Sequence, residues 1–309
     1  MTETATAQRA TFELRPLGAA LGAEVHCGDL RTISDENFAR LHLAWLENLV
    51  LLIRGQDLSN PQNLLAFGRR FGPLERAPGI VKGQKPKDPN LLELAIVSNI
   101  KEGEQAIGVL GDGEAVWHTD SSFYEVPPAG SILHALEIPP VGGNTGFANM
   151  YAACDAMPAA LRERARGRTI KNDLAHNTGG QIREGFEGVI DDVRTSPGVS
   201  HPIVRTHPET GYNSLYLGRR PFAYVNGLSI EDSDQMLEEL WTHATQPQFT
   251  WTHEWRVGDV IIWDNRCTLH RRDSFDPNAR RLMYRTYCKG TRPVALPEAA
   301  QRPRHPRAR

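Results

Sequence analysis

In the segment Trp117-His118-Thr119-Asp120-Ser121-Ser122-Phe123, His118 and Asp120 stand two residues apart. Side chains alternate between the faces of an extended strand, so this spacing predicts an imidazole and a carboxylate on one side, both able to reach one metal ion. A third ligand from elsewhere would complete a two-His, one-carboxylate set. That set covers one face of an octahedral ion and leaves three positions open, as in non-haem Fe(II) oxygenases. The chemistry expected of it is oxidative.

By itself the pair is a weak signal, because a chain with 11 histidines and 37 acidic residues produces such spacings by chance. A hydrogen-bonded histidine near a strand end is the competing reading. Company changes the balance. Thr145 lies in Gly142-Gly143-Asn144-Thr145, and His270 follows the apolar run Val260 to Trp263. Arg281 and Arg285 lie four apart on a segment that reads as a returning strand, hence on one face. A buried arginine needs an anion, and a guanidinium fork fits a carboxylate bidentately. Asn99, at the end of a short strand, is a further substrate-binding candidate, with a turn role as the alternative. Trp117 is another, although Trp117 and Trp263 both read more simply as packing walls beside the ligands. His176 falls in a polar stretch and is expected to be solvated or to touch substrate. His201, His207, His243 and His253 are expected to be structural.

The elements that must position these side chains start with a strand pair around Phe12 to Val25 and a helix from Asp35, where Phe38, Leu41, Trp45, Leu46 and Leu49 keep helical spacing. Val50 to Ile53 reads as a buried strand, and Asn60-Pro61 as the capped start of a second helix. Residues 79–90 and 101–114 are loop-like and sit where a lid would be. Short helices are expected from Tyr151 to Ala156 and from Pro158 to Arg166. Residues 169–199 have no clear period and are expected to form a substrate loop. His207 to Gly211 reads as a turn between two strands. Ser229 caps a helix through Met236, Leu237, Leu240 and Trp241, before the strands Val260 to Trp263 and Arg281 to Tyr287. Many short strands with a few peripheral helices make the fold class mainly β, a jelly roll, since strands and helices do not alternate one for one. One catalytic domain is expected over residues 1–296 and a disordered, Pro- and Arg-rich tail over 297–309.

The chain has 309 residues, 40% of them hydrophobic, enough for a substantial core. A formal net charge of -2 gives no sign of a nucleic-acid or membrane partner, and a small molecule is expected instead. No apolar run is long enough to span a membrane, and the first ten residues lack signal-peptide character, so a cytoplasmic setting is expected. A homo-oligomer is expected as well. Cys27, Cys154, Cys267 and Cys288 lie far apart, which argues for reduced, buried thiols rather than a disulfide framework or thiolate zinc site.

Taken jointly, Phe67-Gly68-Arg69-Arg70-Phe71-Gly72-Pro73-Leu74, Trp117-His118-Thr119-Asp120, Gly142-Gly143-Asn144-Thr145, Trp263-Asp264-Asn265-Arg266, His270 and Arg280-Arg281 resemble the Fe(II)/2-oxoglutarate dioxygenases that include taurine dioxygenase and 2,4-dichlorophenoxyacetate dioxygenase. The resemblance implies a double-stranded β-helix, with Fe(II) on His118, Asp120 and His270 and the distal carboxylate of 2-oxoglutarate on Thr145 and Arg281. It places Arg285 opposite the anionic group of the primary substrate. The reaction it implies couples O2 and 2-oxoglutarate to hydroxylation of a C–H bond, with succinate and CO2 as products and ether cleavage where the hydroxylated carbon bears oxygen. Asp112-Gly113-Glu114-Ala115-Val116 and Glu75-Arg76-Ala77-Pro78 depart from the taurine-binding pattern. An aryloxy- or alkyl carboxylate is therefore the expected substrate, with sulfonates or alkyl sulfates as the alternative. A metal-bound jelly-roll binding protein without turnover, and a zinc hydrolase, are the readings from other classes.

Overall fold

The computed structural model describes residues 12–18, 20–77, 91–108, 115–176, 182–188, 192–297, 302 and 305–306. Strands β1 (Glu13–Pro16), β2 (Ala23–His26) and β3 (Val50–Ile53) surround helix α1 (Asp35–Asn48). Helix α2 (Pro61–Gly68) leads to β4 (Ala95–Ser98) and the two-residue strands β5 (Lys101–Glu102) and β6 (Gln105–Ala106). Next come β7 (Ala115–His118), β8 (Gly130–Glu137) and β9 (Thr145–Asn149), then α3 (Met150–Asp155) and α4 (Ala159–Ala165). Strands β10 (Thr169–Asp173), β11 (Gly198–Pro202), β12 (Val204–Thr206), β13 (Asn213–Leu215) and β14 (Tyr224–Val225) precede α5 (Ile230–Ala244). The last strands are β15 (Thr250–His253), β16 (Val260–Asp264), β17 (Thr268–Arg272) and β18 (Leu282–Cys288).

Two sheets form the double-stranded β-helix: a seven-stranded one in the order β1-β2-β3-β16-β8-β18-β4 and a four-stranded one in the order β15-β9-β17-β7. The apolar runs of β3 and β16 need cover on both faces, and the packing supplies it. Leu51, Ile53, Val260 and Ile262 meet α1 and α2 through Leu41, Trp45, Leu64 and Leu65. Their neighbours Val50, Leu52, Ile261 and Trp263 point the other way, toward Phe147 of the smaller sheet. A third cluster packs α3 and α5 beside that smaller sheet, through Met150, Met236, Leu237 and Leu240.

Three expectations are corrected here. Residues 169–173 are not loop: β10 pairs antiparallel with both β11 and β14. The partners lie about thirty and fifty residues away in sequence, so no local pattern announces the pairing. His176 is not solvated but buried, donating to Asp173 and stacked on Phe222 at 3.7 Å. The expected disordered tail has placed residues: the Arg302 amide donates to Gly211 O at 3.0 Å, and His305 is buried against the Tyr151 ring at 4.5 Å. Of the expected lid, residues 79–90 and 109–114 lie outside the described residues, whereas β5 and β6 form a small hairpin.

Candidate metal centre and cosubstrate pocket

His118 ends β7 and pairs in register with His270 of β17, so the two imidazoles stand side by side with ring centroids 4.1 Å apart. Asp120 is not on the strand. It lies in the turn beyond β7, where Ser121 takes a left-handed φ of 52°, and the turn rather than strand alternation brings its carboxylate to the histidines. Asp120 Oδ1 is 3.7 Å from His118 Nε2 and 3.6 Å from His270 Nε2. Asn265 fixes this turn: its Oδ1 accepts from Asp120 N at 2.9 Å, and its Nδ2 donates to Asp120 O at 3.1 Å and Pro128 O at 3.0 Å.

Three donor atoms gathered within 4.8 Å of one another, from a half-buried His118 and the buried Asp120 and His270, form a set suited to a divalent ion. The His118 tautomer agrees. His118 Nδ1 donates to Val116 O at 2.7 Å, which leaves the Nε2 lone pair facing Asp120. Burial pushes the imidazoles of His118 and His270 below the usual histidine range, so both favour the neutral, ligating form. Burial also pushes the Asp120 carboxyl up, but the Arg285 guanidinium outweighs it and holds the group below the usual carboxylate range.

Arg285 Nη2 donates to Asp120 Oδ2 and, at 2.9 Å, to Ser131 Oγ. Its guanidinium lies 4.5 Å from the ring centroids of both Trp263 and Tyr287. Ser131 was not singled out from the sequence. No local pattern marks it, because it faces Tyr287 across β8 and β18 and reaches Asp120 only through the fold.

Arg281 precedes β18 and is almost fully buried. Its backbone amide donates to Asn99 Oδ1 at 2.9 Å, and its Nη2 approaches Gly143 O at 3.5 Å. Its Nε has no acceptor, and no described carboxylate pairs with it. Burial, reinforced by the nearby Arg272 charge, lowers its pKa to about 9. A buried cation in that state calls for an anion, and the carboxylate of a 2-oxo diacid fits. The Gly142-Gly143 turn makes the approach possible: both residues have left-handed φ (79° and 68°), and a Cβ on Gly142 would sit 2.5 Å from Ser274 O. Thr145 starts β9 in register with Arg272, buried, with its Oγ1 accepting from Trp255 Nε1 at 2.9 Å.

Asn99 spends its amide on the Arg281 turn, accepting from Arg281 N and donating to Ala279 O at 2.9 Å. Trp117 is not brought to the metal. It alternates to the opposite face from His118, packing toward the α5 side under the Arg271 guanidinium at 5.3 Å. Each histidine expected to be structural has an internal partner: His201 with Tyr124 O, His207 with Asp264, His243 with Ala153 O and His253 with Asp259. All four cysteines are buried and unpaired.

A double-stranded β-helix that presents two histidines and a carboxylate beside an unpaired buried arginine defines a non-haem Fe(II)/2-oxoglutarate-dependent dioxygenase, an oxidoreductase that also uses O2. Residues 13–287 match the family model described as taurine catabolism dioxygenase TauD, TfdA family, and the chain belongs to that family. The (S)-phenoxypropionate/alpha-ketoglutarate-dioxygenase of Delftia acidovorans is 34% identical over 296 residues, covering 91% of this chain and 96% of the relative. The alpha-ketoglutarate-dependent 2,4-dichlorophenoxyacetate dioxygenase of Cupriavidus pinatubonensis is 35% identical, with 87% and 95% covered. The crystal structure of AAD-2 in complex with Mn(II) and N-oxalylglycine superposes with a TM-score of 0.74 at 30% identity, covering 92% of this chain and 100% of that one. Among the described residues, no helix is long and apolar enough to cross a membrane.

Proposed function

We propose that the protein hydroxylates a small organic anion, an aryloxy- or alkyl carboxylate, with ether cleavage where the new hydroxyl falls on a carbon bearing oxygen. The observation that carries this reading is the His118, Asp120 and His270 set together with the buried Arg281, which has no carboxylate partner among the described residues. The names of the phenoxypropionate and 2,4-dichlorophenoxyacetate relatives support the substrate class.

His118, Asp120 and His270 would hold Fe(II), and Thr145 and Arg281 the distal carboxylate of 2-oxoglutarate. When bound, this pair supplies the oxidising power for C–H hydroxylation, with O2 consumed and succinate and CO2 released. The chain's own work is positioning. Val116 O fixes the His118 tautomer, Asn265 clamps the Asp120 backbone, and Ser131 with Arg285 holds Oδ2 so that Oδ1 faces the two imidazoles. Arg285 engages Asp120 and Ser131 through Nη2, and Nη1 is its arm for the substrate anion. The enzyme is taken to be cytoplasmic and homo-oligomeric, acting without nucleic acid or membrane.

Succinate release and O2 uptake, measured over a panel of aryloxy- and alkyl carboxylates, sulfonates and sulfate esters, test the proposal. Carboxylate-dependent turnover that His270→Ala abolishes is expected. Metal binding with no O2 uptake for any substrate would overturn the reaction, and turnover confined to uncharged substrates would overturn the Arg285 anchor.

A further inference from the structure

Beside His118 lies a second cationic group that neither the metal centre nor the cosubstrate pocket uses. Arg219, just past β13, makes a backbone bridge with His118 itself. Its side chain is buried, donating from Nη2 to Asp173 O at 3.1 Å and His176 O at 3.0 Å. Those contacts hold the guanidinium in place without neutralising it. Arg183, within residues 182–188, is fixed by its backbone amide, which donates to Ala175 O at 2.7 Å. The two guanidiniums share one aromatic ring, with Arg183 at 4.3 Å and Arg219 at 5.2 Å from the Phe123 centroid. Phe123 is three residues beyond the ligand Asp120, so this cationic platform borders the metal turn.

Two like charges over one ring are costly unless an anion answers them. Among the described residues, neither arginine has a carboxylate within ion-pairing distance. The carboxylate that acts on both is Asp173, which forms no ion pair with either: its Oδ2 accepts from the amide and ring of His176, and its Oδ1 is buried without a hydrogen-bond partner. The electrostatics agree: burial and then the Arg183 charge bring Arg219 down to about 10, while Asp173 opposes the shift. Burial likewise lowers Arg183, against Tyr124 and Asp173.

We propose that Arg183 and Arg219 form a second anion-binding site over Phe123, and that the preferred substrate carries an anionic group at each end. Arg285 takes one end below the metal and the Arg183–Arg219 pair the other, at the loop side, with the hydroxylated carbon between them. This deepens the proposed function and rests on it. It also gives Arg183 a chemical task, since its guanidinium completes the site. The selectivity expected is for dicarboxylates, or carboxylates with a distal sulfate or phosphate, over monoanions of similar size.

The test compares kcat/KM for matched dianionic and monoanionic aryloxy acids, in the wild type and in Arg183→Met and Arg183→Lys. Arg183 sits on a partly exposed loop, so its replacement spares the core. Loss of one charge-assisted contact predicts that Arg183→Met lowers the dianion-to-monoanion ratio about tenfold or more, through KM for the dianion, with Arg183→Lys recovering much of it. Calorimetric titration of the Mn(II)-loaded protein with the dianion should show the same loss of affinity. A ratio that moves less than about twofold on a tenfold scale, or a wild type that prefers monoanions, overturns the second site. Succinate release from 2-oxoglutarate with Fe(II) alone separates the two failures. If it persists while no dianion preference is found, the dioxygenase reading stands and the second anion site falls.

Discussion

Asn265 has no role in the set of ligands, yet it makes three hydrogen bonds around the ligand turn: one accepted from Asp120 N and two donated, to Asp120 O and Pro128 O. Asp120 reaches the metal from a turn containing a left-handed residue, a conformation that needs outside support. Replacing Asn265 by Ala leaves the buried amide and carbonyls unpaired and lets the carboxylate wander. Groups that orient ligands in this way typically contribute about 10- to 100-fold in metal affinity, and that loss is expected for Asn265→Ala in an anaerobic Fe(II) or a Mn(II) titration. Asn265→Asp, which keeps the acceptor for Asp120 N but loses both donated bonds, should fall between. A variant that melts earlier but binds metal as tightly as the wild type would reduce Asn265 to a structural role. The residue was visible in sequence as part of Asp264-Asn265-Arg266, but its target 145 positions upstream was not.

At the scale of elements, legibility followed what each strand has to bury. Val50–Ile53 and Val260–Asp264 declare themselves because apolar side chains cover both faces of the larger sheet. Thr145–Asn149 and Thr268–Arg272 are the strands that carry the site, and their sequences TGFAN and TLHRR do not read as strands. Thr145, His270 and Arg272 occupy positions where a plain strand would place Val or Ile, so the chemistry overwrites the periodic signal. Helix α5 shows the opposite case. Its start was legible because the Ser229 hydroxyl accepts from Asp232 N at 3.0 Å and donates to the Asp232 carboxylate at 2.8 Å, a local device written into adjacent residues. Ser229→Ala should therefore cost about 1 kcal/mol and lower the melting temperature by about 2–4 °C. Metal affinity and kcat/KM should be unchanged, because α5 packs behind the smaller sheet through Met236, Leu237 and Leu240 rather than against the donor set. A parallel loss of metal affinity in that variant would contradict this separation of scaffold from site.

Across the whole molecule, one charged network ties two distant parts of the chain to the turn before the strand that bears His270. His42 of α1 meets Glu209 at 3.0 Å in the β12–β13 turn. Glu209 also pairs with Arg266, whose other nitrogens grip Asp264, and His207 donates to Asp264 at 3.0 Å from the same turn. Arg266 lies over the Trp45 ring at 4.9 Å, closing the circuit back to α1. These groups sit at the β16–β17 turn, four residues before His270, so their integrity sets where that ligand strand begins. The hydrogen bond from His42 is the largest influence on Glu209, and with Arg266 it outweighs burial and brings the carboxyl from 4.5 down to about 2. A group whose pKa is depressed by folding stabilises the fold above its unfolded pKa and loses that stabilisation as pH falls through the folded value. The Glu209 contribution is therefore complete above about 4.5 and disappears as pH drops toward about 2. Because the side chain is 40% exposed, solvent screening keeps the contribution modest. Glu209→Gln is expected to melt below the wild type at neutral pH, with the gap narrowing steadily between those two values. A gap that stays constant across this window would mean that Glu209 acts by packing and hydrogen bonding alone, and that the charge network does not hold the His270 strand.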